Sequence, residues 1–338
     1  GKTTVTAMIG MILLDSGLDP TIVVGARVKG LGSNAHLGTG DHLVAEADES
    51  DRSFLKLRPV HTVLTNIDDD HLDEYGTLDN LRKTFLTYLE SVPFQGSIVA
   101  CADDPNTRQI LRKVHRPVVT YALDFRADCS ASKIRLSGLQ TTYLLSWRGE
   151  ELGEVKLRVP GRHNVQNSLG AAALALSLKI PFESVSASLG SFAGAERRLE
   201  WKGEKEGVWV FDDYGHHPSE IKATLEACRG LGRKIVLVFQ PHRYSRTAQL
   251  ANQLAESFQG ADDLFLTDIY AAGEPPLDGI DSKSLSDKIA LSRPVNYVPP
   301  TQDLLPILRE TLESGDLLLT MGAGDVWKVG EAFLEESS

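Results

Sequence analysis

The chain has 338 residues with 46 acidic and 35 basic side chains, a net charge of −11; that length favours two domains, each able to hold a full core, and that charge excludes the basic face a nucleic-acid binder needs. Its hydrophobic content of 42% and charged content of 24% are those of a globular protein, and no apolar run is long enough for membrane insertion. Cys101, Cys129 and Cys228 show neither metal spacing nor a disulfide framework, which points to a reducing, cytoplasmic setting.

The chain opens on Gly1-Lys2-Thr3-Thr4 and passes at once into a helical run, Val5 to Leu14. This is the back half of a phosphate-binding loop, G-x-x-x-x-G-K-[ST]. The glycine admits backbone N–H groups to phosphate oxygens, the lysine neutralises the outer phosphates, and the next hydroxyl ligates magnesium. The helix N-terminus adds its positive dipole end. The front half of such a loop and its strand precede the first residue, so a chain truncated at the N-terminus is expected. By itself the tetrapeptide is also an ordinary helix start.

Asp41 to Ala45 reads as a strand that ends in an acidic run, Glu46 to Asp51. Glu46 stands at the strand end and is the favoured magnesium ligand, since magnesium takes one or two carboxylates plus phosphate; a solvated acidic turn is the plain alternative. Thr62 to Asn66 is a second strand, followed by Asp68-Asp69-Asp70-His71-Leu72-Asp73. A histidine among carboxylates can ligate a metal or move a proton, although an acidic helix start is common. Leu78 to Leu89 reads as a helix and Ser97 to Ala100 as a strand, before a turn at Asp103-Asp104-Pro105-Asn106.

Residues 128–160 alternate polar and β-branched side chains, the pattern of antiparallel hairpins. Gly161-Arg162-His163-Asn164 then turns into an alanine-rich helix from Asn167 to Leu178. Asn164 and Asn167 share a helical face, where amides can read a base edge; capping by Asn164 is the alternative.

A boundary is expected near residue 195. Beyond it Val208 to Phe211, Lys234 to Phe239, Asp263 to Leu266 and Asp316 to Thr320 read as strands between helices, hence a parallel sheet covered on both faces. Asp212-Asp213-Tyr214-Gly215-His216-His217-Pro218 follows the first of these strands, where the ligand crevice of such a sheet lies. Gln240 to Arg246 follows the second; Arg243 and Arg246 are expected on one helical face, suited to a carboxylate or phosphate. Met321-Gly322-Ala323-Gly324-Asp325 either touches a ligand or packs tightly.

Together these segments resemble the Mur ligases, ATP-dependent amino-acid ligases of bacterial cell-wall synthesis. The resemblance runs from Gly1 to about Val329 and includes Thr65-Asn66-Ile67 and Arg197-Arg198. The segments Asp212 to Pro218 and Phe239 to Arg246 point to the alanine-adding member of the family. The resemblance implies an α/β chain of two domains: 1–195, a central P-loop ATPase-type domain with a mostly parallel sheet, and 196–338, a Rossmann-like C-terminal domain. An N-terminal domain that holds the UDP-sugar is expected to be missing, so that residues 1–338 alone ligate poorly.

The same resemblance implies ATP and Mg2+ as cofactors, UDP-N-acetylmuramate and L-alanine as substrates, and an acyl phosphate on the muramoyl carboxylate. It places Gly1, Lys2, Thr3, Thr4, Asn66, His163, Asn164, Asn167, Arg198 and Asp213 at the nucleotide, and Thr3, Glu46 and His71 at metal. Tyr214, His216, Arg243 and Arg246 fall to the amino-acid and sugar-acid side, with Lys2, His71, His216, Arg243 and Arg246 as the catalytic set. Relatives adding later residues carry a carbamylated lysine in the helix after the Asp-His-Leu-Asp motif; register puts Phe85 there, with Lys83 nearby. A sister ligase attaching recycled tripeptide to the same UDP-sugar, and a non-catalytic nucleotide-binding module, are the alternatives.

Overall fold

The computed structural model describes residues 1–68 and 72–335. The chain divides into two compact units, Gly1–Ala195 and Glu196–Ser338.

The first unit begins with α1 (Lys2–Asp15), buried continuously from Thr3 to Leu13. A helix that is apolar all round belongs inside a core. β1 (Thr21–Val28) pairs antiparallel with β2 (Ser33–His36) and parallel with β3 (Leu43–Ala45), forming a three-stranded sheet of order β2-β1-β3. β4 (His61–Leu64) leads to the short α2 (Leu72–Tyr75), α3 (Leu78–Glu90), β5 (Ser97–Cys101), α4 (Pro105–Leu111) and β6 (Val118–Ala122). The side-chain caps Thr77 on α3 and Asp104 on α4 fix where these helices start.

β7 (Cys129–Ser137), β8 (Gln140–Trp147) and β9 (Glu150–Leu157) complete a six-stranded sheet of order β4-β5-β6-β7-β8-β9. It is parallel from β4 to β7 and antiparallel from β7 to β9, so the hairpin reading of residues 128–160 matches the chain. α5 (Arg162–Ser177) and α6 (Phe182–Ser191) follow. α5 starts five residues earlier than expected, because Gly161 takes φ 102° and turns the chain directly into it.

The second unit holds β10 (Glu200–Lys205), β11 (Val208–Asp213), α7 (Pro218–Arg229), β12 (Ile235–Phe239), α8 (Tyr244–Ala255), β13 (Asp263–Leu266), α9 (Ser282–Ala290), β14 (Asn296–Tyr297), α10 (Leu304–Thr311), β15 (Leu317–Met321) and α11 (Trp327–Glu335). Its sheet has the order β10-β11-β15-β12-β13-β14, parallel except for β10. β12 and β15 are buried at every position, as strands covered on both faces must be. The C-terminal ends of β11, β12 and β15 lie side by side and carry Asp213, Phe239 with Gln240, and Met321 with Gly322.

Candidate active site

In the first unit the site forms around the N-terminus of α1. Thr3 Oγ1 donates to Glu46 Oε1 at 2.7 Å, and the Gly25 N–H donates to Glu46 Oε2 at 2.6 Å. Glu46 follows β3 directly, and its own N–H is paired with the Val23 carbonyl at 2.9 Å. A side chain at Gly25 would meet Glu46 Oε2 at 2.8 Å, so that residue's lack of a Cβ is what lets the carboxylate lie against the backbone. Lys2 Nζ donates to both oxygens of Glu49, at 2.6 and 2.7 Å. Glu49 is held through its carbonyl, which accepts from the Tyr75 hydroxyl.

The Thr3 hydroxyl and the Glu46 carboxylate, 2.7 Å apart, are hard oxygen donors of the kind magnesium takes beside phosphate, and would hold it there. Among the described residues no three His, Cys, Asp or Glu side chains converge as a protein cage. Magnesium shared with phosphates and water requires no such cage.

α5 reaches the same end of α1. A Cβ on Gly1 would stand 2.3 Å from Asn167 Oδ1, so the two residues are in close contact and a side chain there would push the Asn167 amide aside. Asn167 Nδ2 donates to Asn164 Oδ1 at 3.4 Å, and Asn164, 5% exposed, donates from Nδ2 to the Pro160 carbonyl at 2.8 Å. Asn164 is therefore inside the helix and ties it to the preceding loop; it is not the cap. Burial holds the His163 imidazole down at about 4, so it is neutral at pH 7. Thr4 is buried in α1, and Asn66 is exposed just beyond β4. His71 lies outside the described residues. Phe85 is 9% exposed and packs with its ring centroid 5.2 Å from that of Phe54 as part of the core, while Lys83 is exposed.

In the second unit the strand ends carry an ionic network. Arg197 donates from Nε to Asp212 Oδ2 at 2.8 Å, from Nη1 to the Gly324 carbonyl at 3.0 Å and from Nη2 to the Gly322 carbonyl at 2.5 Å. Asp212, 1% exposed, also accepts from Thr320 Oγ1 at 2.8 Å. Burial pushes the Asp212 carboxyl up, against the opposing pull of Arg197. Asp213 accepts from the Leu199 N–H at 2.6 Å and the Gly215 N–H at 2.7 Å. Burial raises it to about 6 although Arg198 opposes that shift. Arg198 sits with its guanidinium 5.4 Å from the Tyr214 ring centroid and 3.9 Å from Glu220. Burial alone would raise Glu220, but His216, backbone N–H groups and Arg198 hold it at about 2.

His216 donates from Nδ1–H to the Tyr214 carbonyl, 3.1 Å away, and its ring centroid lies 5.6 Å from Tyr214 and 5.5 Å from His242. His242 stacks on Tyr270 at 5.8 Å and 10°. Burial lowers His242 to about 4, aided by His216 and the neighbouring arginines, so its Nδ1 is free to accept from Arg246 Nη1 at 3.0 Å. Arg243 and Arg246 do not share a helical face. α8 starts at Tyr244, and Arg243 precedes it with φ 68°, its guanidinium 3.9 Å from Glu274. The glycines after β15 are a packing device: Gly322 at φ 148° would place a Cβ 2.6 Å from the Gln240 carbonyl oxygen, and Gln240 Oε1 accepts from Asp325 N at 2.9 Å. Gly25, Glu49, Gln240, His242, Tyr270 and Glu274 are not among the site residues expected from sequence; Glu49, Gln240 and His242 lie inside the acidic run and the Gln240 to Arg246 segment, whereas Gly25, Tyr270 and Glu274 carry no local signal.

A unit with a phosphate-loop sequence at the head of a buried helix, followed by a parallel, doubly covered unit with charged strand ends, is a two-domain α/β architecture of the enzyme kind, and comparison with known proteins makes it specific. The Mur ligase middle domain matches residues 1–175, and the Mur ligase, glutamate ligase domain matches residues 197–324. The chain belongs to the Mur ligase family. It is 47% identical to the UDP-N-acetylmuramate–L-alanine ligase of Syntrophotalea carbinolica, over 99% of this chain and 74% of that protein. The crystal structure of a UDP-N-acetylmuramate–alanine ligase, MurC, from Thermotoga maritima superposes with a TM-score of 0.83 at 28% identity, covering 99% of this chain and 73% of that one. A murein peptide ligase from Psychrobacter arcticus shares the fold, with a TM-score of 0.70 at 24% identity, over 100% of this chain and 76% of that one. Among the described residues no helix is long and apolar enough to cross a membrane.

Proposed function

We propose that the protein joins L-alanine to the carboxylate of UDP-N-acetylmuramate at the expense of ATP, as a cytoplasmic step of peptidoglycan precursor synthesis on which cell shape and division depend. The observation that carries the reading is the meeting of Lys2, Thr3, Glu46 and Asn167 at one end of the buried helix α1, in a chain 47% identical to a ligase of that name.

In this reading Lys2 leaves Glu49 for the outer phosphates. The pair is part-exposed, 43% and 18% by side chain, and a pair of that kind is worth roughly 0–1 kcal/mol, so a triphosphate displaces it readily. Thr3 and Glu46 would hold magnesium, which when bound neutralises charge on the phosphates during phosphoryl transfer. Gly1 and Thr4 complete the phosphate grip, and Asn66, His163 and Asn167 face adenosine; Asn164, buried and bonded to the Pro160 carbonyl, supports them from inside the helix. In the second unit Asp213, its oxygens held by the Leu199 and Gly215 N–H groups, shapes the strand end without touching ligand, and Arg198 is proposed for phosphate. His71 is proposed for a second metal.

A carboxylate is a poor acyl donor until one oxygen becomes a leaving group, and phosphorylation makes it one. The amine of L-alanine then attacks the acyl phosphate, and phosphate departs. Tyr214, His216, Arg243 and Arg246 serve the amino acid and the sugar acid. His242, neutral at pH 7, anchors Arg246 without competing for the substrate's carboxylate charge.

The test is product analysis with the full-length enzyme, ATP, magnesium and UDP-N-acetylmuramate, offering L-alanine, glycine, L-serine or a cell-wall tripeptide. UDP-N-acetylmuramoyl-L-alanine with equimolar ADP supports the reading. Turnover with the tripeptide alone supports the recycling ligase, and nucleotide binding without any product a non-catalytic module.

A further inference from the structure

The turn after β5 has no ligand role above, yet two elements of the nucleotide site are fastened to it. Asp103 Oδ2 accepts from Leu123 N at 2.6 Å and from Gln166 Nε2 at 2.7 Å; Oδ1 accepts from Asp124 N at 3.0 Å and Phe125 N at 3.2 Å. Gln166 stands in α5 between Asn164 and Asn167, so one carboxylate fastens that helix to the loop after β6. Asp104 Oδ1 accepts from the Ile67 N–H at 3.3 Å while capping α4 through Thr107 N at 2.6 Å. Asn106 Nδ2 donates to the Ile67 carbonyl at 2.6 Å. Ile67 is 2% exposed and lies between exposed Asn66 and Asp68, so both polar groups of its backbone are gripped from this turn.

The amide cannot be reversed. Asn106 Oδ1 accepts from Arg82 Nε at 3.1 Å and Nη2 at 2.6 Å, and Arg82 is itself held by Asp79 at 2.7 Å. A guanidinium has only donors, which fixes Nδ2 toward Ile67.

We propose that Asp103, Asp104 and Asn106 are positioning residues that brace the nucleotide site on two sides, setting the Asn66–Asp68 loop through Ile67 and the start of α5 through Gln166. The proposal rests on the nucleotide reading above. Its natural probe is Asn106→Asp, which keeps an oxygen toward Arg82 but turns the other against the Ile67 carbonyl, moving the loop while leaving the α3–α4 contact intact. Asp103→Asn acts on the other side: whichever way its amide turns, a donor meets either the Leu123 and Gln166 donors or the Asp124 and Phe125 N–H groups, and the clamp on this loop weakens.

In the full-length enzyme, misplacement on the ångström scale is expected to raise the KM for ATP, and the Kd of a fluorescent ATP analogue measured without acceptor substrates, about tenfold. The KM for L-alanine should stay within about twofold. If Asn106→Asp does not fold, Asp103→Asn decides by the same criteria. ATP parameters within twofold of the parent, or a uniform rise in KM for ATP and L-alanine alike, would overturn the brace. An unsubstituted enzyme that binds no ATP analogue would overturn the nucleotide reading, and the brace with it.

Discussion

The two units handle charge in opposite ways. At the head of α1 the cation is lent to a surface partner: Lys2 lies on Glu49, both reachable by water. At the strand ends of the second unit the cation is committed: Arg197 spends its donors on buried Asp212 and on two carbonyls of the Gly322–Gly324 turn. A site that must receive a polyanion needs a charge it can release at low cost. A frame that must hold two strand ends in register needs one that it cannot. In the proposed reading the difference separates residues that act on ligand from residues that shape the place where ligand sits, although all of them are charged.

Breaking the committed cation should give the largest effect. Arg197→Met leaves Asp212 buried and unpaired, and such a loss costs about 3–5 kcal/mol; denaturant unfolding would read it as a lowered midpoint. An unchanged midpoint would mean that the network is ornamental. Breaking the lent cation should act on rate and not on stability. Lys2→Ala is expected to cost about 10²–10³ in kcat, the scale of losing one preorganised electrostatic partner, with the unfolding midpoint nearly unmoved because the exposed pair is weak. Near-parental turnover in that variant would remove Lys2 from the phosphate grip.

Glu46→Gln sharpens the contrast within the first unit. It keeps an oxygen for Thr3 but loses the charge, so half-maximal rate should require roughly tenfold more magnesium, about 1.4 kcal/mol; an unchanged magnesium titration would take Glu46 out of the metal site. The smallest effect is on acid stability. His163 and His242 are held at about 4 by burial, against an ordinary value of 6.5. The unfolded chain therefore takes up protons first as the pH falls, and the stability these groups permit is full above about pH 6.5 and lost towards pH 4. Asp213, raised to about 6, works the other way: its contribution is full below 3.8 and lost as the pH rises through about 6. His163→Gln should flatten the fall in melting temperature between pH 6.5 and 4; an unchanged slope would show that the imidazole is not desolvated.

What the sequence made legible follows from the range of the interactions. Strands such as Ile235–Phe239 declare themselves because both faces are covered and every residue is apolar. β1 carries a strand signal in Thr21-Ile22-Val23-Val24, four β-branched residues in a row, but Gly25 and Arg27 interrupt it, and its full length to Val28 is set by pairing with β2 and β3. Glu46 could be chosen as a strand-end acid, but its clamp by Gly25 comes from a backbone N–H, which no residue type advertises. The Lys2–Glu49 pair spans 47 residues and leaves no local trace. The arginine pair failed for a local reason: one residue at φ 68° ahead of α8 sends Arg243 towards Glu274, while Arg246 turns to His242.

The contrast between a lent and a committed cation is tested most directly by a crystal structure of the full-length enzyme with magnesium and a non-hydrolysable ATP analogue. Lys2 Nζ should have left Glu49, 2.6 Å away in the free protein, for a phosphate oxygen, with the Arg197–Asp212 contact kept at 2.8 Å. A bound nucleotide with Lys2 still on Glu49, or with Arg197 drawn off Asp212, would contradict it.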